Sequence, residues 1–236
     1  MSEYANINIR YCFKLNNQSH EDFDLQLDGK TLEVINRSSD DLPDWTKLEN
    51  HQCSHCPLDS SDNDHCPVAV SLVSVIDRFE NVVSHDELEL EVITSTRHVS
   101  QHTTAQKAIS SLLGLLFATS GCPYTNYLKP MARFHLPLAS EEDTVFRSAG
   151  MYLLAQYFLK QSAKASDLEM AGLKKIYDNL HLLNTGIAQR IRSATHTDSS
   201  VNAVILLDMF TNLMPFAIDE QLNEIRCFFD SYFQPL

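Results

Sequence analysis

Glu87-Leu88-Glu89-Leu90-Glu91-Val92-Ile93 decides the fold, because its Glu residues alternate with apolar ones from Glu87 to Val92. A period of two places the glutamates on one face of a strand and the aliphatic side chains on the other. That is a half-buried strand of an antiparallel sheet, wet and acidic on one side and packed on a core on the other. Working upstream, Asn6-Ile7-Asn8-Ile9-Arg10-Tyr11-Cys12-Phe13 repeats the alternation. Phe23-Asp24-Leu25-Gln26-Leu27 and Thr31-Leu32-Glu33-Val34-Ile35 flank Asp28-Gly29. Asp-Gly supplies the positive φ angles of a tight turn, so these two read as a hairpin. The polar run from Ser38 to Asn50 reads as a surface loop.

Downstream of residue 100 the period changes to that of helices. Thr103 or Thr104 can cap a helix carrying Ile109, Leu112, Leu113, Leu116 and Phe117, with Gly121 ending it. Ser140-Glu141-Glu142-Asp143 has the form of a capping box. Ser166-Asp167-Leu168-Glu169 is a second such start, ahead of apolar residues recurring from Leu173 to Ile191 at three- and four-residue steps. The polar stretch 194–200 breaks that helix; a further one stops at Pro215, and a last one covers Leu222 to Tyr232. The expected class is α+β: a small antiparallel sheet with a cysteine metal knuckle at about 51–67, then a C-terminal helical bundle. The expected division is residues 1–100 and 101–236, packed as one unit.

The chain of 236 residues is 44% hydrophobic and 21% charged, values of an ordinary globular protein able to bury a core. Its net charge is −13, and residues 1–100 carry nearly all of it, with seven Lys and Arg against nineteen Asp and Glu. Phosphate backbones are bound by clustered cations, so nucleic acid is not an expected partner. No apolar run of membrane-spanning length stands out, and the start Met1-Ser2-Glu3-Tyr4 lacks a secretory pattern. A cytoplasmic protein with no membrane partner is expected. No dinucleotide fingerprint, P-loop, nucleophile elbow or His-Glu-x-x-His is found, and six glycines leave little material for phosphate-cradling loops.

Chemistry concentrates in Cys53-Ser54-His55-Cys56-Pro57, followed after a polar loop by His65-Cys66-Pro67, and in Ser120-Gly121-Cys122-Pro123. A Cys-x2-Cys pair points two thiolates at one ion, which is half of a structural zinc site. Cys66 and Cys122 each precede Pro where a helix can start, and helix N-termini favour thiolate. Cys53, Cys56, Cys66 and Cys122 are therefore the expected metal ligands, with zinc as the metal and a 4Fe-4S cluster as the alternative. His51, His55 or His65 could replace Cys122, and unligated thiols are the remaining reading. No thioredoxin-like pattern surrounds the Cys-x2-Cys pair, which disfavours a redox motif. Cys12 and Cys227 read as small buried hydrophobes.

Ser120–Pro123 running on to Lys129-Pro130-Met131-Ala132-Arg133-Phe134-His135-Leu136-Pro137-Leu138-Ala139, with Met151–Phe158 and the Cys53/Cys56/Cys66 pattern, resembles an uncharacterised bacterial family. The resemblance covers residues 50–160 and implies a bacterial origin; it brings no catalytic residues with it.

Outside the cysteines, Arg133, His135, Glu142 and Arg147 are candidates for a pocket taking an anion. The competing reading is a capped, salt-bridged connection between helices. Asp178 and His181 share a helix face, and Asp208 sits among apolar residues, where it can face solvent or meet Arg190 or Arg192. The sequence thus points to a binding or regulatory protein with a structural zinc, its partner a protein or small molecule. A redox protein or enzyme built on an iron–sulfur cluster is the alternative.

Overall fold

The structure, a computed structural model, describes residues 4–15, 19–36, 42–195 and 198–234. Four antiparallel strands form one sheet in the order β2-β1-β3-β4: β1 (Ile7–Leu15), β2 (His20–Leu27), β3 (Glu87–Thr94) and β4 (His98–Thr104). The class is α+β. In β3 the alternation works as expected, with Leu88, Leu90 and Val92 buried and the glutamates turned away from the core. Lys14 on β1 reaches Glu91 at 2.6 Å and Glu89 at 3.4 Å, which relieves the crowding of like charges on the wet face.

Two strand expectations change. Residues 31–35 form no strand; only an isolated bridge joins Leu27 to Val34. Asp28 instead accepts hydrogen bonds from the N–H groups of Lys30 and Thr31, an Asx turn, and Leu32 rather than Gly29 takes the left-handed conformation. Gly29 is needed for a different reason: a Cβ there would collide with the carbonyls of Tyr4 and Ala5. Conversely, β4 arises from His98-Val99-Ser100-Gln101-His102-Thr103-Thr104, a polar edge strand with one buried residue, which carries no alternating signal.

The helices are α1 (Pro67–Arg78), α2 (Ala105–Ala118), α3 (Lys129–Arg133), α4 (Glu141–Gln161), α5 (Ala171–Ala194) and α6 (Ser199–Glu224), with a 3-10 stretch at Ile225–Tyr232. Thr104 is the N-cap of α2, and Gly121, with φ +87°, turns the chain after it. The Ser140/Asp143 capping box of α4 is complete in both directions. The start at Asp167 is displaced: α5 begins at Ala171, and Asp167 reaches forward to accept from the N–H of Gly172 at 2.8 Å. Pro215 does not stop α6, which continues through it to Glu224. Of the expected loop 38–50, residues 38–41 lie outside the described residues, as do 196 and 197 of the expected break.

The main core joins the inner face of the sheet to α1, α2 and parts of α5 and α6, around Tyr11, Phe13, Phe79, Leu90 and Leu112. A smaller cluster, including Tyr152, Leu173, Tyr177 and Met214, ties α4 to α5 and α6. The stretch Ser199–Ile218 of α6, with a mean hydropathy of 1.6, is long and apolar enough to cross a membrane by length and composition. It packs against α2, α4 and α5, burying Ala203, Val204, Met214 and Ile218, but only 39% of the stretch is buried, and Ile205, Met209, Leu213 and Phe216 are exposed.

Candidate metal centre and adjoining cavity

Residues 42–66 contain little regular structure, so their backbone groups need partners from elsewhere. A short 3-10 turn at Asp44–Thr46 leads into a bridge between Lys47 and His65. Leu48 N–H donates to the Asp64 carbonyl at 2.9 Å, and Cys66 N–H to the Thr46 carbonyl at 2.8 Å. Within the Cys-x2-Cys turn, Cys56 N–H donates to the Cys53 carbonyl at 2.9 Å. Tyr124 closes the loop from outside, its hydroxyl donating to the His55 carbonyl at 2.7 Å.

α5 anchors this segment with two residues one turn apart. Arg190 is 1% exposed and donates to the carbonyls of Trp45 (3.1 Å), Lys47 (2.5 Å) and Leu48 (2.7 Å). Gly186 lets the helix come close: a Cβ there would stand 3.1 Å from Cys53 Sγ and 3.3 Å from the His51 carbonyl. Among the described residues no carboxylate pairs with Arg190. Sequence patterning missed Gly186 and named Arg190 only as a partner for Asp208. The available signal was a Gly and an Arg lying in the stripe otherwise occupied by Leu183, Ile187 and Ile191.

All four cysteines singled out from the sequence lie in this region, and all are free thiols. Cys66 is the N-cap of α1 with Pro67 at the first helical position, as expected. Cys122 differs: a turn follows it, with the N–H of Thr125 donating to its carbonyl at 3.1 Å, before a short 3-10 segment at Asn126–Leu128. The backbone N–H groups of Tyr124 and Thr125 still favour its thiolate. Burial pushes the Cys122 thiol up to about 11, and those two donors oppose the rise. Burial likewise pushes Cys53 up to about 12, helped by the nearby charges of Cys66, Cys56 and Cys122 and opposed by Arg190.

The thiols are thus close enough to feel one another. Among the described residues, however, no group of three or more His, Cys, Asp or Glu side chains is spaced to hold a metal ion. The two observations concern different ranges, since charge acts across distances far longer than a metal–sulfur bond. Of the histidines, His65 Nδ1 bonds Thr46 Oγ1 at 2.7 Å and His51 is exposed, whereas His55 stacks near the Tyr124 ring (centroids 4.1 Å apart) with both ring nitrogens buried and without a hydrogen-bond partner among the described residues.

A cavity of about 420 Å³ lies between β4, α2, the α3–α4 connection, α5 and α6. His135 and Arg147 line it; Arg133 and Glu142 are exposed and do not. Arg133 lies over the Phe134 ring, and Glu142 sits in the first turn of α4. Arg147 Nη2 donates to the carbonyls of Met131 (3.1 Å) and Phe134 (2.8 Å), holding the end of α3. His135 Nε2 bonds the buried Tyr11 hydroxyl, which also meets Ser111. Asp208 meets neither arginine named for it; His181 Nδ1 lies 2.9 Å from its carboxylate. Asp178 takes no part in that pair.

Burial, with Arg147 nearby, lowers His135 from 6.5 to about 4. A histidine depressed in the folded state keeps its contribution above the unfolded value and loses it as pH falls. This group alone should therefore cost roughly 3 kcal/mol of stability between pH 6.5 and pH 4. Urea unfolding across that range should show the slope, and His135→Phe should flatten it; equal slopes in the two proteins would remove His135 as the cause.

The chain matches, over residues 9–230, the family described as a domain of unknown function (DUF6901). It belongs to that family. The matched span includes all of the sheet but the first two residues of β1, and it covers the four cysteines, Gly186, Arg190 and the residues lining the cavity. No curated protein and no solved structure matches the chain.

Proposed function

We propose that this chain is a metal-binding protein of the binding or regulatory class, in which Cys53, Cys56, Cys66 and Cys122 close in from their present spacing to hold one structural zinc. The observation that carries the reading is Arg190, a guanidinium buried beside Cys53 without a carboxylate partner among the described residues. A buried charge calls for an opposite charge nearby. Four thiolates around a zinc ion leave an excess of two negative charges, which Arg190 partly offsets. Uncharged thiols give the guanidinium no such compensation. A cytoplasmic setting suits the reading, since thiols stay reduced there and remain available to a metal.

An iron–sulfur cluster on the same cysteines is the second reading, supported by the N–H groups that favour the Cys122 thiolate. Metal analysis and the absorption spectrum of protein purified without oxygen separate the two. Zinc predicts a colourless protein with about one zinc per chain. A brown protein bleached by dithionite would replace zinc by a cluster, and metal-free protein with all thiols titratable would overturn both.

A further inference from the structure

We infer that the cavity between α2, the α3–α4 connection, α5 and α6 binds a small amphipathic carboxylate: an apolar chain carrying one negative charge. Its size of about 420 Å³ lies in the range of small-molecule sites. Most of its wall is apolar, including Leu115, Leu136, Leu180, Leu207 and Phe210. Among the described residues, the charged ones lining it are Lys107 and Arg147, with no Asp or Glu. That is a sharp local departure in a chain with 31 acidic and 18 basic residues.

Arg147 supplies the specific anchor. Burial lowers the pKa of its guanidinium, and the charge of Arg97 adds to that, so the cation lacks full compensation. Asp143 is the nearby carboxylate that opposes the effect, but it lies outside ion-pair distance among the described residues. One nitrogen of Arg147 is committed to the carbonyls of Met131 and Phe134, while Nη1 and Nε have no hydrogen-bond partner among the described residues. These donors can take one anionic group. The lowered pKa of His135 keeps its imidazole neutral at pH 7, so it adds a polar edge and no second charge. A phosphate, with more charge and more acceptors, would require donors that this largely apolar wall does not provide.

The cavity reading does not require the metal, and a zinc-free preparation that still bound the carboxylate would separate the two. Isothermal titration of the full chain with decanoate, decanol and inorganic phosphate tests it. Decanoate should bind, decanol should bind about tenfold more weakly, and phosphate should give no measurable heat. Arg147→Met should bring decanoate down to the decanol level. Because Arg147 also holds the end of α3, Lys107→Met, an exposed position, provides a second charge deletion and should weaken decanoate without affecting decanol. Leu136→Trp should occlude the cavity and abolish both. Equal affinity for decanoate and decanol, preferential phosphate binding, or no binding of either chain would overturn the inference.

Discussion

With zinc bound as proposed, a strong chelator should lower the melting temperature by about 8–16 °C, the equivalent of about 4 kcal/mol for a chain of this size. The effect is large because the four cysteines come from two distant segments, one ahead of α1 and one after α2. A shared ion would constrain both against the core, where Cys66 and Cys122 are already buried. Cys66→Ser and Cys122→Ser should each abolish the chelator response and lower the starting stability. Cys12→Ser and Cys227→Ser should retain it, since Cys12 lies on β1 beside Asp22 and Cys227 is exposed on the last 3-10 stretch. A melting curve indifferent to chelation would remove the clamp.

Replacing Arg190 by Met should destabilise the protein by about 4 kcal/mol. Met keeps much of the volume but leaves the carbonyls of Trp45, Lys47 and Leu48 without their donor. Each buried, unpaired acceptor carries a desolvation cost, and the loop that presents Cys53 and Cys56 loses its anchor. Arg190→Lys should recover part of the loss, because one ammonium cannot span three carbonyls as a guanidinium does. Urea unfolding gives the stability change, and zinc retention under mild competition shows whether the loop still presents its thiols. A loss below about 1 kcal/mol would mean that the carbonyls find water instead.

How much of this was legible depended on whether the signal was local. β1 and β3 could be read because Tyr11, Phe13, Leu88 and Leu90 alternate with polar residues. β4 could not, because an edge strand facing water has no apolar half to display. Pro215 misled in the opposite direction: tertiary packing of α6 overrides a residue that would break an isolated helix. At the cysteine site, Cys-x2-Cys and the two Cys-Pro pairs were visible as spacing. Arg190 and Gly186 were not, since their role exists only once α5 lies against a segment more than 130 residues earlier. In the cavity, His135 and Arg147 were found by their type, and Arg133 and Glu142 looked equivalent until the fold turned them outward.

The bonds from Arg190 to Trp45 and Lys47 span 145 and 143 positions of the chain. During synthesis, therefore, Cys53 and Cys56 leave the ribosome long before the helix that fixes their loop has been made. Contacts of such long range carry a larger loop-closure entropy and slow folding. Until α5 docks, the nascent loop has no fixed shape and its thiols are open to any metal or oxidant at hand. The order of translation thus leaves this loop without its anchor until the residues of α5 have been made.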